Sequence, residues 1–438
     1  MSEILAQLRS RKLAGTTRLD LQAGLTEFPR EIFDLADTLE ILNLSGNRLR
    51  SLPDDFTRLH RLRILFCSEN NFTELPEVLG ACPELRMIGF KANQIENVPG
   101  AALPSRLRWL ILTDNRIRRL PSELGRCGAL QKLMLSGNQL TALPAEMASC
   151  VNLELLRLAA NDLPSMPSWL LALPRLAWLA FSGNPCTASP SSASTLPDVP
   201  WSDLRFETKL GEGASGEIHR AQWRKDGGGD QSVAVKMFKG AVTSDGLPSC
   251  EMKACLAAGN HAHLIPLRGQ VKDHPTGQQG LVMSLINPAY VNLAGPPSFE
   301  TCTRDIYSSS LRFSAANVIA LAGGIAEVAR QLHVRGILHG DLYAHNVLWD
   351  PAGHCYLGDF GAATFYHPGD ATLAHALQRL EVRAFGCFLE ELLDRANWTQ
   401  EQSATRESLW HLRQSCLGDV VKDRPSFEEV VQHLERLR

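Results

Sequence analysis

The first 186 residues repeat one hydrophobic frame. Apolar side chains fall at Leu39, Leu42 and Leu44, followed by Asn47 and Leu49. The frame returns at Leu62-Leu65-Cys67-Asn70-Phe72, Leu85-Ile88-Phe90-Asn93-Ile95 and Leu107-Leu110-Leu112-Asn115-Ile117. It returns again at Leu130-Leu133-Leu135-Asn138-Leu140 and Leu153-Leu156-Leu158-Asn161-Leu163, and a last copy, Leu176-Leu179-Phe181-Asn184, runs into Pro185-Cys186. Leading positions 39, 62, 85, 107, 130, 153 and 176 lie 22 or 23 residues apart. Such a period predicts one short strand per copy, each burying its apolar face on its neighbours. The Asn of each copy is predicted to be buried, its amide satisfying backbone groups at the bend. Apolar-Pro pairs punctuate the copies at Pro53, Pro76, Pro99, Pro121, Pro144 and Pro167, where proline is expected to halt any helix. A degenerate copy around Leu19-Asp20-Leu21 is expected to cap the N-terminal end.

Period and frame together are those of leucine-rich repeats, so residues 1–186 resemble an α/β leucine-rich-repeat horseshoe. Two strand positions per repeat would face its concave side, and they include Phe66, Trp109, Met134 and Trp178. Aromatic anchors in a rigid concavity imply a groove for a protein partner or substrate, the alternative being that the second half of this chain or a second copy covers the face. Cys82, Cys127 and Cys150 stand where other copies carry Leu59 and Leu173, and read as small buried apolar groups. Residues 187–200 form a polar Pro/Ser linker, too short and polar to span a membrane.

From Trp201 the periodicity ends and a second set of motifs begins. Gly211, Gly213 and Gly216 lie in Leu210-Gly211-Glu212-Gly213-Ala214-Ser215-Gly216-Glu217-Ile218, ahead of Val233-Ala234-Val235-Lys236. Further on come His339-Gly340-Asp341-Leu342-Tyr343-Ala344-His345-Asn346 and Asp359-Phe360-Gly361. Lys236, Glu251, Asp341, Asn346 and Asp359 keep the order and spacing that phosphoryl transfer from ATP requires. Residues 201–438 therefore resemble a compact, bacterial-like form of the eukaryotic-type protein kinase domain, an α+β bilobal fold. The resemblance implies that the glycines offer backbone N–H groups to phosphates and that Glu251 holds Lys236 against them. It makes Asp341 the base for the acceptor hydroxyl, and Asn346 and Asp359 the ligands of Mg²⁺. It also places Ile218, Ala234 and Leu348 around the adenine, with Met283 and Leu285 at the hinge.

Three departures accompany the resemblance. Gly340 replaces the Arg that in the family reads a phosphate on the activation loop, so switching by loop phosphorylation is not expected. Tyr343 and His345 occupy the places where serine/threonine and tyrosine kinases respectively carry a cation, which weakens transition-state stabilisation unless His345 or a partner supplies one. The stretch from Asp359 to the next recognisable helix, at Glu381-Val382-Arg383-Ala384-Phe385-Gly386, is short and has no Ala-Pro-Glu, so the Glu that usually pairs with Arg424 is missing.

Composition narrows the setting. A net charge of -3 gives no reason to expect nucleic acid as partner. The apolar stretch Val318 to Val328 is short and contains Glu327, so it reads as a core helix and no membrane span is expected. Eleven scattered cysteines argue for a reducing cytoplasm, and thirteen histidines show no zinc spacing. The sequence thus predicts an ATP- and Mg²⁺-dependent protein kinase, serine/threonine by default, that selects its target through the repeats or phosphorylates itself. The alternative is a scaffold whose repeats bind a protein while the kinase-like half binds nucleotide with little or no turnover.

Overall fold

The computed structural model describes residues 3–188, 196–225, 229–240 and 242–438. The chain divides into two compact units, residues 1–176 with 184–186, and residues 177–183 with 187–438.

In the first unit a helix α1 (Glu3–Arg9) precedes parallel three-residue strands: β1 (Arg18–Asp20), β2 (Ile41–Asn43), β3 (Ile64–Phe66), β4 (Met87–Gly89), β5 (Trp109–Ile111), β6 (Lys132–Met134) and β7 (Leu155–Arg157). Successive strands pair in register, so Leu42, Leu65, Ile88, Leu110, Leu133 and Leu156 form one fully buried row. The asparagines form a second row. Asn138 accepts the Ile117 N–H at 3.0 Å while its amide nitrogen donates to the carbonyls of Leu112 and Leu135, both at 2.9 Å. Asn115 and Asn161 repeat the pattern one turn either side.

The residue before each of these asparagines is left-handed, with φ +72° at Gly46, +54° at Glu69, +53° at Ala92, +57° at Asp114, +70° at Gly137, +53° at Ala160 and +73° at Gly183. Four of them carry a Cβ and hold a conformation that costs an L-residue about 1–2 kcal/mol; the Asn bonds hold it in place. The prolines act differently from expectation. Pro76, Pro99, Pro121 and Pro144 start short 3-10 helices on the return path rather than stopping them. The first N–H groups of a helix have no internal partner, so a residue without one loses nothing there. Cys82, Cys127 and Cys150 are buried, and burial pushes their thiols up to about 11. None of the eleven cysteines is in a disulfide.

The second unit begins with β8 (Trp178–Ala180) and, past the linker, β9 (Asp198–Pro200). Its sheet adds β10 (Leu204–Gly213), β11 (Gly216–Trp223), β12 (Gln231–Phe238), β13 (Leu267–Lys272) and β14 (Gly280–Ser284), in the order β10-β11-β12-β14-β13-β9. Val199, Val233, Val235, Val271 and Val282 make its core, β-branched residues that suit a pleated surface. Helix α2 (Pro248–Ala258) belongs with this sheet; α3 (Ala315–Val334), α4 (Ala371–Leu393), α5 (Ser403–Cys416) and α6 (Phe427–Glu435) follow. Helix α3 contains the apolar stretch 318–328, most of it buried, and Glu327 pairs with Arg438 at 3.0 Å. Among the described residues no helix is long and apolar enough to cross a membrane.

Two boundaries move. Part of the linker, residues 189–195, lies outside the described residues, and its end is not a linker at all. Val199 is fully buried and pairs with Val271, so the sheet captures 198–200 despite their polar context. The helix expected at Glu381 starts ten residues earlier, at Ala371, where Asp370 caps it by accepting the Leu373 N–H at 3.1 Å.

Two variants probe the repeats. Asn138→Ala removes three buried hydrogen bonds and is expected to lower stability by about 3 kcal/mol in urea denaturation. Ala92→Gly relieves the left-handed strain and is expected to raise it by about 1 kcal/mol. A destabilising glycine would show that the turn is not strained.

Candidate functional site

The glycine-rich segment forms the hairpin between β10 and β11, with Gly211 opposite Ile218 and Gly213 opposite Gly216. The three glycines have different reasons. A Cβ on Gly216 would lie 2.2 Å from the Met237 carbonyl oxygen, so this residue is small to let β12 approach. At Gly211 and Gly213 a Cβ would meet nothing within 4 Å, which leaves open space over the hairpin for a ligand.

Lys236 stands on β12 opposite Leu281, and Ala234 opposite Met283. The Lys236 ammonium forms an ion pair with Glu251, which α2 carries and which is 1% exposed. Burial pulls the Lys236 pKa down, but the charges of Glu251 and Asp359 outweigh it and leave the amine raised. Burial lifts the Glu251 carboxyl against the pull of Lys236. Ile218, Lys236, Glu251, Met283, Asp359 and Phe360 line one cavity of roughly 110 Å³. Cys255, Leu264 and Ile265 share it, although no sequence motif marked them. Ala234 is buried in β12, while Leu285 and Leu348 are half-buried.

The loop His339–Asn346 is held from several sides. Gly340 N–H donates to Glu381 Oε1 at 2.7 Å, and the other oxygen of that carboxylate lies 2.7 Å from His333 Nε2. Burial would raise the Glu381 carboxyl, but His333, His339 and the Gly340 N–H hold it below the ordinary carboxylate range. His339 Nε2 lies 3.0 Å from the Gly358 carbonyl oxygen, which ties the loop to the segment leading into Asp359. Asn346 donates from its amide nitrogen to the Asp341 carbonyl at 2.9 Å and to Asp341 Oδ2 at 2.8 Å. That use of the nitrogen leaves the amide oxygen as the atom available to a cation. Asp359 is exposed and left-handed at φ +48°, its Oδ1 accepting the Gly361 N–H at 3.0 Å. A carboxylate and an amide oxygen are hard donors that suit Mg²⁺, and Asp359 shares its cavity with Lys236, a cation suited to a polyphosphate.

One partner in this loop carried no sequence signal. Asp305 accepts the His345 backbone N–H at 2.9 Å and lies 2.7 Å from its Nδ1. Burial would lower the His345 pKa, but the Asp305 hydrogen bond and charge, with Asp341 and Asp359 beyond, leave it raised. Glu381 was visible only as part of a helix, and Asp305 not at all. Arg424 is buried and donates to the carbonyls of Gly418 (2.8 Å) and Arg379 (3.1 Å), which stand in for the glutamate usual in the family; burial pushes its guanidinium down to about 10.

The residues expected on the concave face separate. Phe66, Trp109 and Met134 are half-buried on their strands, with Lys132 Nζ 4.1 Å from the centre of the Trp109 ring. Trp178 does not belong with them. It is 2% exposed and stacks on Tyr343 in the second unit, so it has no face to offer a partner.

Residues 204–386 match the family model described as protein tyrosine and serine/threonine kinase, and residues 18–95 and 105–163 match leucine rich repeat. A serine/threonine-protein kinase of Gibberella zeae is 30% identical over 167 residues, covering 38% of this chain and 30% of that protein. Tyrosine-protein kinase receptor TYRO3 of Danio rerio is 24% identical over 272 residues, 52% of this chain and 30% of that one. Leucine-rich repeat and calponin homology domain-containing protein 1 of Mus musculus is 32% identical over 124 residues, 27% of this chain and 17% of that one. The chain spans less than a third of the length of these relatives.

Glu381→Ala strands the Gly340 N–H and His333 in a dry interior, and is expected to destabilise the second unit by about 3–5 kcal/mol. A shift of the urea midpoint corresponding to under about 1 kcal/mol would show that water replaces the carboxylate.

Proposed function

Because leucine-rich repeats and a protein-kinase domain share this one chain, we propose that it transfers the γ-phosphoryl group of ATP to a serine or threonine hydroxyl of a protein. The observation that carries this reading is the assembled Lys236–Glu251 pair in the cleft that Asp359 also lines. In protein kinases that pair must be in place for transfer. The serine/threonine preference follows the likeness to the Gibberella zeae serine/threonine-protein kinase; the likeness to TYRO3 keeps tyrosine as the competing acceptor.

The geometry supports the following roles. Gly211 and Gly213 leave the hairpin open to phosphates, and Lys236 meets the α- and β-phosphates with its charge preserved by Glu251. Ile218, Ala234, Leu348, Met283 and Leu285 hold the adenine and its edge. Asp341, oriented by Asn346, takes the proton of the acceptor hydroxyl as that oxygen bonds to the γ-phosphorus and the bond to the ADP oxygen breaks. Asn346 and Asp359 would hold Mg²⁺, which when bound draws charge from the phosphate oxygens. His345, held by Asp305, takes the role of the missing cation of this loop in this reading.

We assign the half-buried Phe66, Trp109 and Met134 to target or regulator binding, with autophosphorylation as a further outlet. Eleven cysteines, none of them in a disulfide, favour a cytoplasmic setting.

Labelled ATP with Mg²⁺ tests the reading on the purified full chain. Wild type is expected to transfer label to itself or to a generic protein substrate, and Asp341→Ala to lose about 10³-fold in kcat. Lys236→Met should lose a similar factor. Nucleotide binding by wild type without any transfer would favour the scaffold reading instead. His345→Gln is expected to lower kcat about tenfold with little change in KM for ATP if the imidazolium stabilises the developing charge. An unchanged kcat would leave the loop without a replacement cation.

A further inference from the structure

Two residues of the His339–Asn346 loop depart most from the kinase pattern, Gly340 and Tyr343, and both are touched by β8. The Trp178 indole stacks on the Tyr343 ring with centroids 4.2 Å apart and planes 6° from parallel. Its Nε1–H donates to the Leu342 carbonyl at 3.1 Å, next to Asp341. One residue along, the Leu179 carbonyl oxygen sits over Gly340. A Cβ there would lie 2.7 Å from it and 2.8 Å from the Ala362 carbonyl oxygen, and Gly340 is left-handed at φ +74°. No arginine fits that position. Beyond Asp359, the Phe181 N–H donates to Thr364 Oγ1 at 3.1 Å, so the same short segment also holds the chain that follows Asp359-Phe360-Gly361.

We propose that the segment 177–183 is a permanent positioning element of the phosphotransfer site. It takes the place that a phosphorylated activation segment and its arginine hold elsewhere in the family, and Trp178 is its principal residue. The inference rests on the kinase reading above. It accounts for both substitutions at once. Gly340 makes room for Leu179, and Tyr343 supplies a flat surface for Trp178, a pairing of about the strength of buried aromatic contacts. With the loop already held through Leu342 and Tyr343, and with only Phe360 to Gly369 between Asp359 and the cap of α4, no loop phosphate is required to order it.

The test uses the full chain. Trp178→Ala should lower kcat about 30-fold or more while KM for ATP stays within about threefold, because Asp341 is displaced and the nucleotide pocket is not. Trp178→Phe keeps the stack and should recover to within about fivefold of wild type. Without nucleotide, hydrogen–deuterium exchange of residues 339–346 should quicken in Trp178→Ala while that of α3 stays unchanged. Gly340→Arg, which restores the residue usual in the family, should abolish transfer rather than improve it. Phosphatase-treated wild type should keep its full kcat.

The proposal is overturned by a folded Trp178→Ala with wild-type kcat and exchange, by a Gly340→Arg that transfers normally, or by loss of activity on dephosphorylation. Should Trp178→Ala fail to fold, Gly340→Ala decides, with an expected loss of about tenfold; a wild-type kcat there overturns it. A wild type that transfers nothing defeats the kinase reading alone, and the exchange measurement then judges the positioning role.

Discussion

A lysine ammonium largely withdrawn from water stays charged only beside a carboxylate, and in this cleft Glu251 is that carboxylate. The requirement couples two elements that are not neighbours along the chain. It draws α2 against β12, closes the cavity between them and directs the amine toward the side where Asp359 stands. Separating the pair would leave two buried charges, a cost of several kcal/mol, so the cleft has a strong reason to remain assembled. A second buried carboxylate, Glu381, plays a comparable part beneath the His339–Asn346 loop, accepting from the Gly340 backbone and from His333.

The repeat unit depends on a different constraint, the satisfaction of backbone groups at a bend repeated every 22 or 23 residues. Asn70, Asn93, Asn115, Asn138 and Asn161 each serve at least three backbone groups at once, and all five accept one N–H of the preceding copy while donating to one carbonyl of that copy's strand end and one of their own. The strain of a left-handed residue just before it is accepted even where that residue is Glu69, Ala92, Asp114 or Ala160. Local propensity is overridden because an unpaired buried peptide group would cost more than the strain.

The departures of the His339–Asn346 loop from the kinase pattern looked like losses when read along the chain. In space they are fitted to neighbours. At position 340 the surroundings admit only glycine, Tyr343 carries a stacked indole, and His345 is oriented by Asp305. Arg424, without the glutamate usual in the kinase pattern, donates to the backbone carbonyls of Gly418 and Arg379.

Much of this was legible in the chain. The frame of leucines and asparagines determined the parallel strands, their register and the buried amides, because a fixed period leaves each copy one way to bury its face. The spacing of Lys236, Asp341, Asn346 and Asp359 pointed to a phosphate site, since that chemistry tolerates few alternative residue types, and the structure pairs Lys236 with Glu251 beside Asp359. What the chain could not disclose was which distant groups would meet. Trp178 has the same frame position as Trp109, yet one is buried against Tyr343 and the other half-open, a distinction made by packing and not by periodicity. Asp305 and Glu381 acquired their roles only when folding brought carboxylates from remote segments to unpaired N–H groups. Periodic and catalytic patterns are local rules written in residue order, whereas the partners of buried charges and aromatic rings are chosen by the tertiary structure, where desolvation makes each unmatched group costly.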